Sequence, residues 1–327
     1  MKRIKPSADD LGQRLDRYLR KFFPGAKLWE IYEALRTKKI TIGGKKLPEN
    51  TRLRAWDILD IDIDEETVKR WQTCPLEKGG QGGLLWQWLW WGQKLDPTRI
   101  LFEDSDLLIY DKPSWLIVHS PDHKTDEVSL IEQIEDYLVE SGWKPSGTFA
   151  HPALAHRIDR DTSGIIISCL NRTAYEYMAE QFRTRKVEKT YHALVVGVAE
   201  PREGIITAPL LRLDTGRTDE AKVIVDSQGQ SAETRYKVLK TGTKNDWSLV
   251  ELHPKTGRTH QIRVHMSHIW HPLIGDRRYG WPNVVKFQEL HHLHDRRGHL
   301  LHAHQIVFLR PKSQEKTIII SPSGFME

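Results

Sequence analysis

The sequence predicts an α+β protein in which a small α/β module precedes a larger domain of many strands and few helices. Three observations carry that reading. Two short amphipathic segments and a basic-edged hairpin fill the first sixty or so residues. A stretch rich in glycine and tryptophan separates them from the rest. Beyond residue 98, apolar runs of strand length outnumber helical periodicities. The boundaries fall at 1–64, 65–98 and 99–327. A chain of 327 residues has room for one large domain and a small one. Its 39% hydrophobic and 28% charged content is that of a globular chain, not a disordered one.

In the first module Leu15, Tyr18, Leu19 and Phe22 recur at helical spacing, with Arg14, Arg17, Arg20 and Lys21 around the rest. Pro24-Gly25 stops that helix. A second helix is predicted over residues 28–36, with Ile31, Tyr32 and Leu35 inward. The run Lys38-Lys39-Ile40-Thr41-Ile42-Gly43-Gly44-Lys45-Lys46 reads as a short strand, a glycine turn and more lysines. Residues 53–63 alternate as a strand does. Residues 1–60 hold 15 Lys/Arg against 8 Asp/Glu, and the remaining residues sum to −2. A basic module on a near-neutral body points to a polyanion, most simply nucleic acid.

Residues 65–98 read as a linker, flexible by composition at Gly79-Gly80-Gln81-Gly82-Gly83. Trp71, Trp86, Trp88, Trp90 and Trp91 fall within 21 residues of it. One reading is stacking on single-stranded RNA; the more ordinary one is packing on the larger domain or a second subunit. The two cysteines, Cys74 and Cys169, are far apart and give neither a disulfide framework nor a zinc ribbon, which fits a reducing cytoplasm. No signal peptide and no apolar run of membrane-spanning length is found in the sequence.

In the larger domain, residues 100–104 and 107–113 read as two strands with a turn between. Residues 129–141 form an amphipathic helix with Leu130, Ile131, Ile134 and Leu138 on one side. Residues 172–185 form another, with Tyr175, Met178, Ala179 and Phe182 as its apolar stripe. Strands are predicted over 189–197, 204–208, 222–225, 234–239, 247–252, 305–309 and 317–320. Gly257 turns the chain into a helix whose apolar side is Ile262, Met266 and Ile269.

The chemistry concentrates in His156-Arg157-Ile158-Asp159-Arg160-Asp161-Thr162-Ser163-Gly164, followed at once by Ile165-Ile166-Ile167. Charges of that density are too costly to bury inside a strand, so they sit at its mouth. A carboxylate among arginines stays ionised, which suits a nucleophile better than a general acid. Read alone, the stretch is more often a surface salt-bridge turn. A histidine cluster near the C-terminus (His291, His292, His294, His299, His302, His304) lacks any accepted metal-ligand spacing.

Several of these stretches resemble one family. His156–Gly164 is similar to the signature of the RluA-type pseudouridine synthases, with Ile158 in place of the usual Leu. Lys189-Thr190-Tyr191-His192-Ala193-Leu194-Val195-Val196-Gly197 resembles that family's Lys-x-Tyr strand, and Thr256–His265 its Thr-Gly-Arg-Thr-His-Gln-Ile-Arg-x-His segment. The opening Glu103-Asp104 and Asp111-Lys112-Pro113 also fit, with Asp111 where Asn is common. The first module resembles the αL RNA-binding module first named from ribosomal small-subunit protein S-four.

The resemblance implies a mixed, mostly antiparallel β-sheet in the catalytic domain and isomerisation of uridine to pseudouridine in structured RNA. It makes Asp159 the catalytic aspartate, Arg258 its ion-pair partner, Tyr191 the ring that stacks on the uracil, and Arg157 the filler of the space an everted base leaves. His260 and Arg263 touch phosphate or brace the loop, and Arg14, Arg17, Lys38, Lys39 and Lys45 contact phosphates. Large-subunit ribosomal RNA is the implied substrate and transfer RNA the lesser option. A monomeric cytoplasmic isomerase is expected, with no cofactor, metal or membrane. Two rivals stand beside it: an RNA-binding assembly factor without chemistry, and a metal-dependent phosphohydrolase.

Overall fold

The structure is a computed structural model that describes residues 2–6, 15–23, 26, 28–48, 51, 53–54, 57–72, 94–119, 128–143, 149, 151–213, 222–280 and 298–324. Arg14, the tryptophans at 86–91, Cys74 and the histidines at 291–294 lie outside the described residues, as does the side chain of Arg17. Contacts divide the chain into two units: residues 1–95 with 122–128 and 136–143, and residues 96–121 with 129–135 and 144–327.

The first unit holds β1 (Lys2–Ile4), α1 (Leu15–Phe22), α2 (Leu28–Arg36), β2 (Ile40–Ile42), β3 (Leu59–Ile61) and α3 (Glu65–Gln72). The strands form an antiparallel sheet in the order β1-β3-β2. Leu15 and Leu19, one helical turn apart, and Ile31 and Leu35, likewise, are fully buried with Ile40 and Leu59. The alternating run 53–63 is paired only over Leu59–Ile61. Its start is spent on a turn in which Asp57 accepts from the Arg54 N–H. The helix α3 stands at the start of the segment read as linker, and its Trp71 packs edge-on against Phe23 at 5.4 Å between ring centres.

The second unit is built on one sheet. Its strands are β4 (Ile100–Glu103), β5 (Leu107–Lys112), β6 (Ala153–Leu154), β7 (Ser163–Cys169), β8 (Glu188–Val196), β9 (Glu203–Thr207), β12 (Glu233–Thr241), β13 (Trp247–Pro254), β14 (Leu301–Leu309) and β15 (Lys316–Ile320). A separate hairpin joins β10 (Leu210–Leu213) to β11 (Lys222–Val225). The main path runs β4-β5-β7-β14-β8-β13-β12-β9, with β15 on β14 and β6 on β7. Every pairing in it is antiparallel except β7–β14, where Ser163 faces His302 and Gly164 faces Ala303.

Helices punctuate the chain between these strands. In α4 (Leu130–Glu140) the start is a capping box: Ser129 N–H and hydroxyl both donate to Glu132. In α5 (Arg172–Arg183) Asn171 caps the Ala174 N–H. The buried positions of α5 are Ala174, Met178 and Gln181, and Tyr175 is exposed, so the stripe expected through Tyr175 is rotated by one residue. The polar Gln181 is inward because its amide bonds both N–H and C=O of Leu309 at the end of β14. In α6 (Gln261–His268) residues Gln261 to Met266 are all buried, polar ones included. That pattern marks a helix whose inner face serves chemistry as well as packing. Among the described residues no helix is long and apolar enough to cross a membrane.

Candidate active site

The site forms where β7 begins. Asp159 opens a turn closed by Thr162 N–H to Asp159 C=O, and Gly164 follows with φ of +106°. Only glycine fits there: a Cβ would collide with the backbone of Ala303 on β14. The tight approach lets β7 and β14 pair in parallel beneath the turn.

Two segments hold the turn from opposite sides. From the end of β5, the fully buried Lys112 donates to the carbonyls of Pro113, Leu116 and Arg160 at 2.7–2.9 Å. Burial pulls its ammonium down to about 7. Three carbonyl acceptors use three N–H donors, an arrangement that only the charged form provides. Ser114 adds a bond to Asp161 C=O, and Arg160 returns one to Trp115 C=O. From the other side, His299 bonds the Thr162 hydroxyl at 2.8 Å and His302 bonds the Ser163 hydroxyl at 2.9 Å. His302 Nε2 donates to Ser321 C=O, so its Nδ1 is the acceptor for Ser163.

Asp159 is one quarter exposed and meets a cation, but not the expected one. The resemblance assigned that partner to Arg258. Arg258 instead precedes α6 and sends its Nε to Ser231 C=O, while its N–H bonds Gln261. The partner is Arg263, whose Nη1 lies 3.0 Å from Asp159 Oδ2. The reason is helical phase. Arg263 sits within the buried turn of α6, on the same side as Met266, whereas Arg258 lies outside the helix. The same guanidinium grips the fully buried Asp276 through Nε (2.7 Å) and Nη2 (3.0 Å). That two-point bond fixes the plane of the fork and aims the remaining N–H at Asp159. Tyr279 lies beneath it, ring centre 5.0 Å from the guanidinium carbon.

His260 completes the surround in a left-handed conformation (φ 54°) at the start of α6. Its Nδ1 is 2.7 Å from the Tyr279 hydroxyl, which also accepts from Val223 N–H. With Tyr279 donating to Nδ1, the remaining ring proton sits on Nε2, 3.9 Å from Asp159. Burial pushes both His260 and His299 down to about 4, so both are neutral near pH 7. Burial also opposes the Asp159 charge, but in the acid range where the carboxyl titrates, the protonated His260, Arg263 and the protonated His299 outweigh it and hold the carboxyl below its usual range. With the imidazoles neutral, Arg263 is the standing cation.

Tyr191 faces this carboxylate from the centre of β8, flanked by Leu252 on β13 and Ala303 on β14. Burial, then the Asp159 charge, raises its hydroxyl well above the ordinary value. A bulge at His304 in β14 stands beside it, as bulges do where a strand re-aims side chains near a site. Arg157 is exposed on the signature loop. Lys38, Lys39 and Lys45 are exposed in the first unit.

The structure therefore brings together Asp159, Tyr191, His260 and Arg263, leaves Arg258 at the rim, and adds Lys112, Asp276 and His299. Asp276 had a signal in the sequence: an acid inside Leu273-Ile274-Gly275-Asp276 has to find a buried cation. Two further histidines, His192 and His304, serve as braces. His192 stacks on His304 at 3.9 Å, and both lie with Ser321 and Ser323 of the C-terminal segment. Among the described residues no group of His, Cys, Asp and Glu is arranged to hold a metal.

The chain as a whole matches a known group of proteins. Residues 106–268 fit the family model described as RNA pseudouridylate synthase. A ribosomal large subunit pseudouridine synthase C from Buchnera aphidicola subsp. Acyrthosiphon pisum is 34% identical over 95% of this chain and 90% of its own. Its namesake from Vibrio vulnificus is 32% identical over 97% and 91%. Among solved structures, human RNA pseudouridylate synthase domain containing 1 superposes with a TM-score of 0.55 at 25% identity, covering 71% of this chain and 87% of that one. The human domain containing 4 protein gives 0.54 at 26%, covering 75% and 94%. Signature, sheet and relatives agree, and the chain belongs to the RluA-type family of RNA pseudouridine synthases.

Proposed function

We propose that this enzyme isomerises chosen uridines of large-subunit ribosomal RNA, acting in the cytoplasm as a monomer. The observation that carries the chemistry is the Asp159 carboxylate, partly open to solvent and held ionised by Arg263 at 3.0 Å. The names of the Buchnera and Vibrio relatives support the choice of RNA.

The target nucleotide leaves the stack to reach the site. Its uracil lies on the Tyr191 ring, and Arg157, exposed on the loop, takes the space the base vacated. The N1–C1′ bond breaks with its electron pair on the uracil, and the Asp159 carboxylate answers the positive charge left on the sugar. The base turns, C5 bonds to C1′, the C5 proton leaves and N1 takes up a proton, so the product is an isomer of the substrate. Arg263 keeps Asp159 charged and aimed throughout; Asp276 and Tyr279 keep Arg263 in place. Residues 1–64 act as the αL module, with Lys38, Lys39 and Lys45 on phosphates, followed by a linker to the catalytic domain from 99.

The test is carbodiimide and primer-extension mapping of unmodified large-subunit ribosomal RNA incubated with the enzyme or Asp159→Ala, both with chelator. Stops at a few uridines with the wild-type protein alone are the expected result. Stops on transfer RNA only would overturn the substrate, and equal stops with Asp159→Ala would overturn the role of the carboxylate.

A further inference from the structure

Lys189 stands two residues before Tyr191 on β8, and strand alternation puts both on one face. Both line a single cavity of ≈ 10 Å³ together with His156, Ile165, Ala303, Gln305 and Ile306. A space of that size admits about one small atom group, not a ring. Its other walls are mostly aliphatic.

Lys189 is half-buried, and among the described residues it makes no hydrogen bond or ion pair. The Tyr191 hydroxyl has no such partner there either. Both groups stand on one wall with their hydrogen-bonding capacity unspent, so a ligand that enters there meets two donors already in place. Lys189 Nζ is placed near the turn before α6, 3.9 Å from where a Cβ on Gly257 would stand. It thus lies between the strand that carries Tyr191 and the turn that leads to His260 and Arg263. His156 does not compensate it. That imidazole accepts from Ile167 N–H through Nε2, stacks on Phe182 and is neutral, pushed to about 3 by burial and then by the Lys189 charge. Burial also lowers the Lys189 ammonium itself.

We infer that Lys189 is a further catalytic residue of this site, whose ammonium donates to a ring oxygen of the everted uracil and stabilises the negative charge that the base carries once the N1–C1′ bond has broken. The geometry fits: a base lying on Tyr191 covers the cavity mouth, and only a carbonyl oxygen fits inside. No proton is transferred. The electron pair of the broken bond spreads from N1 onto the two ring oxygens, and the cation answers one of them. The fixed donor needs no rearrangement as the charge develops. Asp159 and Lys189 thereby serve the two opposite charges of one bond cleavage, one on the sugar and one on the base.

This inference rests on the synthase reading of the site, and its test separates the two. Single-turnover rates are measured at saturating RNA for wild type, Lys189→Met and Lys189→Arg, on a ribosomal RNA fragment with uridine or 5-fluorouridine at the target. Fluorouracil departs with its electron pair more readily and needs less help. Lys189→Met is expected to slow uridine roughly 100-fold, with RNA affinity unchanged, to slow 5-fluorouridine far less, and Lys189→Arg to recover part of the rate. An equal loss on both substrates, or a loss confined to RNA affinity, would overturn the assignment. Should Lys189→Met fail to fold, the same substrate ratio is read from Lys189→Arg. An inactive wild type would instead sink the synthase reading.

Discussion

At the scale of single residues, the site is a chain of alternating charge: Asp159, Arg263, Asp276. Removing its centre by Arg263→Gln leaves two carboxylates facing each other without a cation, which costs about 3–5 kcal/mol in a buried setting. The cost depends on pH in a defined direction. In the wild type both carboxyls are held below their usual range, so their contribution is present above about pH 4 and is lost as pH falls through the folded values. In Arg263→Gln burial raises both above the unfolded value. Their contribution then survives only below about pH 4 and is lost as pH rises. The stability gap between the two proteins is therefore largest near pH 7 and narrows toward pH 4, as urea titrations at the two pH values would show; a constant gap would contradict it.

Lys112→Met is the companion test on the other side of the turn. It leaves three carbonyls without donors and should cost roughly 3 kcal/mol, read as a lower urea midpoint. The aspartate and the tyrosine of this site were legible in the sequence, because they stand inside motifs. The arginine was not. Two arginines five residues apart both fit, and only the helical phase of 261–268, with Ile262, Arg263 and Met266 turned inward, separates them.

At the scale of elements, the seat of the turn is the close approach of β7 to β14. Gly164→Ala meets both a left-handed backbone and the Ala303 chain, so a loss of at least about 3 kcal/mol is expected. Gly257→Ala serves as the control. Its Cβ position meets only Lys189 Nζ, at an ordinary contact distance of 3.9 Å, so the variant should fall within about 0.5 kcal/mol of wild type. In the first unit, Trp71→Ala should cost about 3–5 kcal/mol, because the indole fills the gap beside Phe23. Periodicity found most of these elements. It missed α3, because the glycine and tryptophan composition of the whole segment masked a single helical stripe ending in Trp71. It missed β10 as well, since Leu210–Leu213 is too short to show alternation until β11 pairs with it. Tyr175 was misread as core because in α5 the inward position next to Met178 is taken by a glutamine that bonds β14.

At the scale of the whole molecule, the uneven charge of the chain predicts how it meets RNA. The basic surplus lies in residues 1–60, and Lys38, Lys39 and Lys45 there are exposed. Replacing all three by Ala should reduce the slope of log affinity against log salt by about 2–3, with little change in which uridines are modified. A change of target sites with an unchanged slope would instead place these lysines in base recognition.

The parallel pairing of β7 with β14 has a further consequence in time. Ser163 and His302 are 139 residues apart in the chain, far more than the contacts that Lys112 and Ser114 make with the other side of the aspartate turn. Contacts of such long range are the slow ones to form, since the loop must close before they stabilise it. A chain growing from a ribosome makes the signature loop well before its β14 partner. Catalytic competence therefore waits for β14, and a nascent chain halted before Leu301 would carry every charged residue of the aspartate–arginine chain yet lack the strand that seats them.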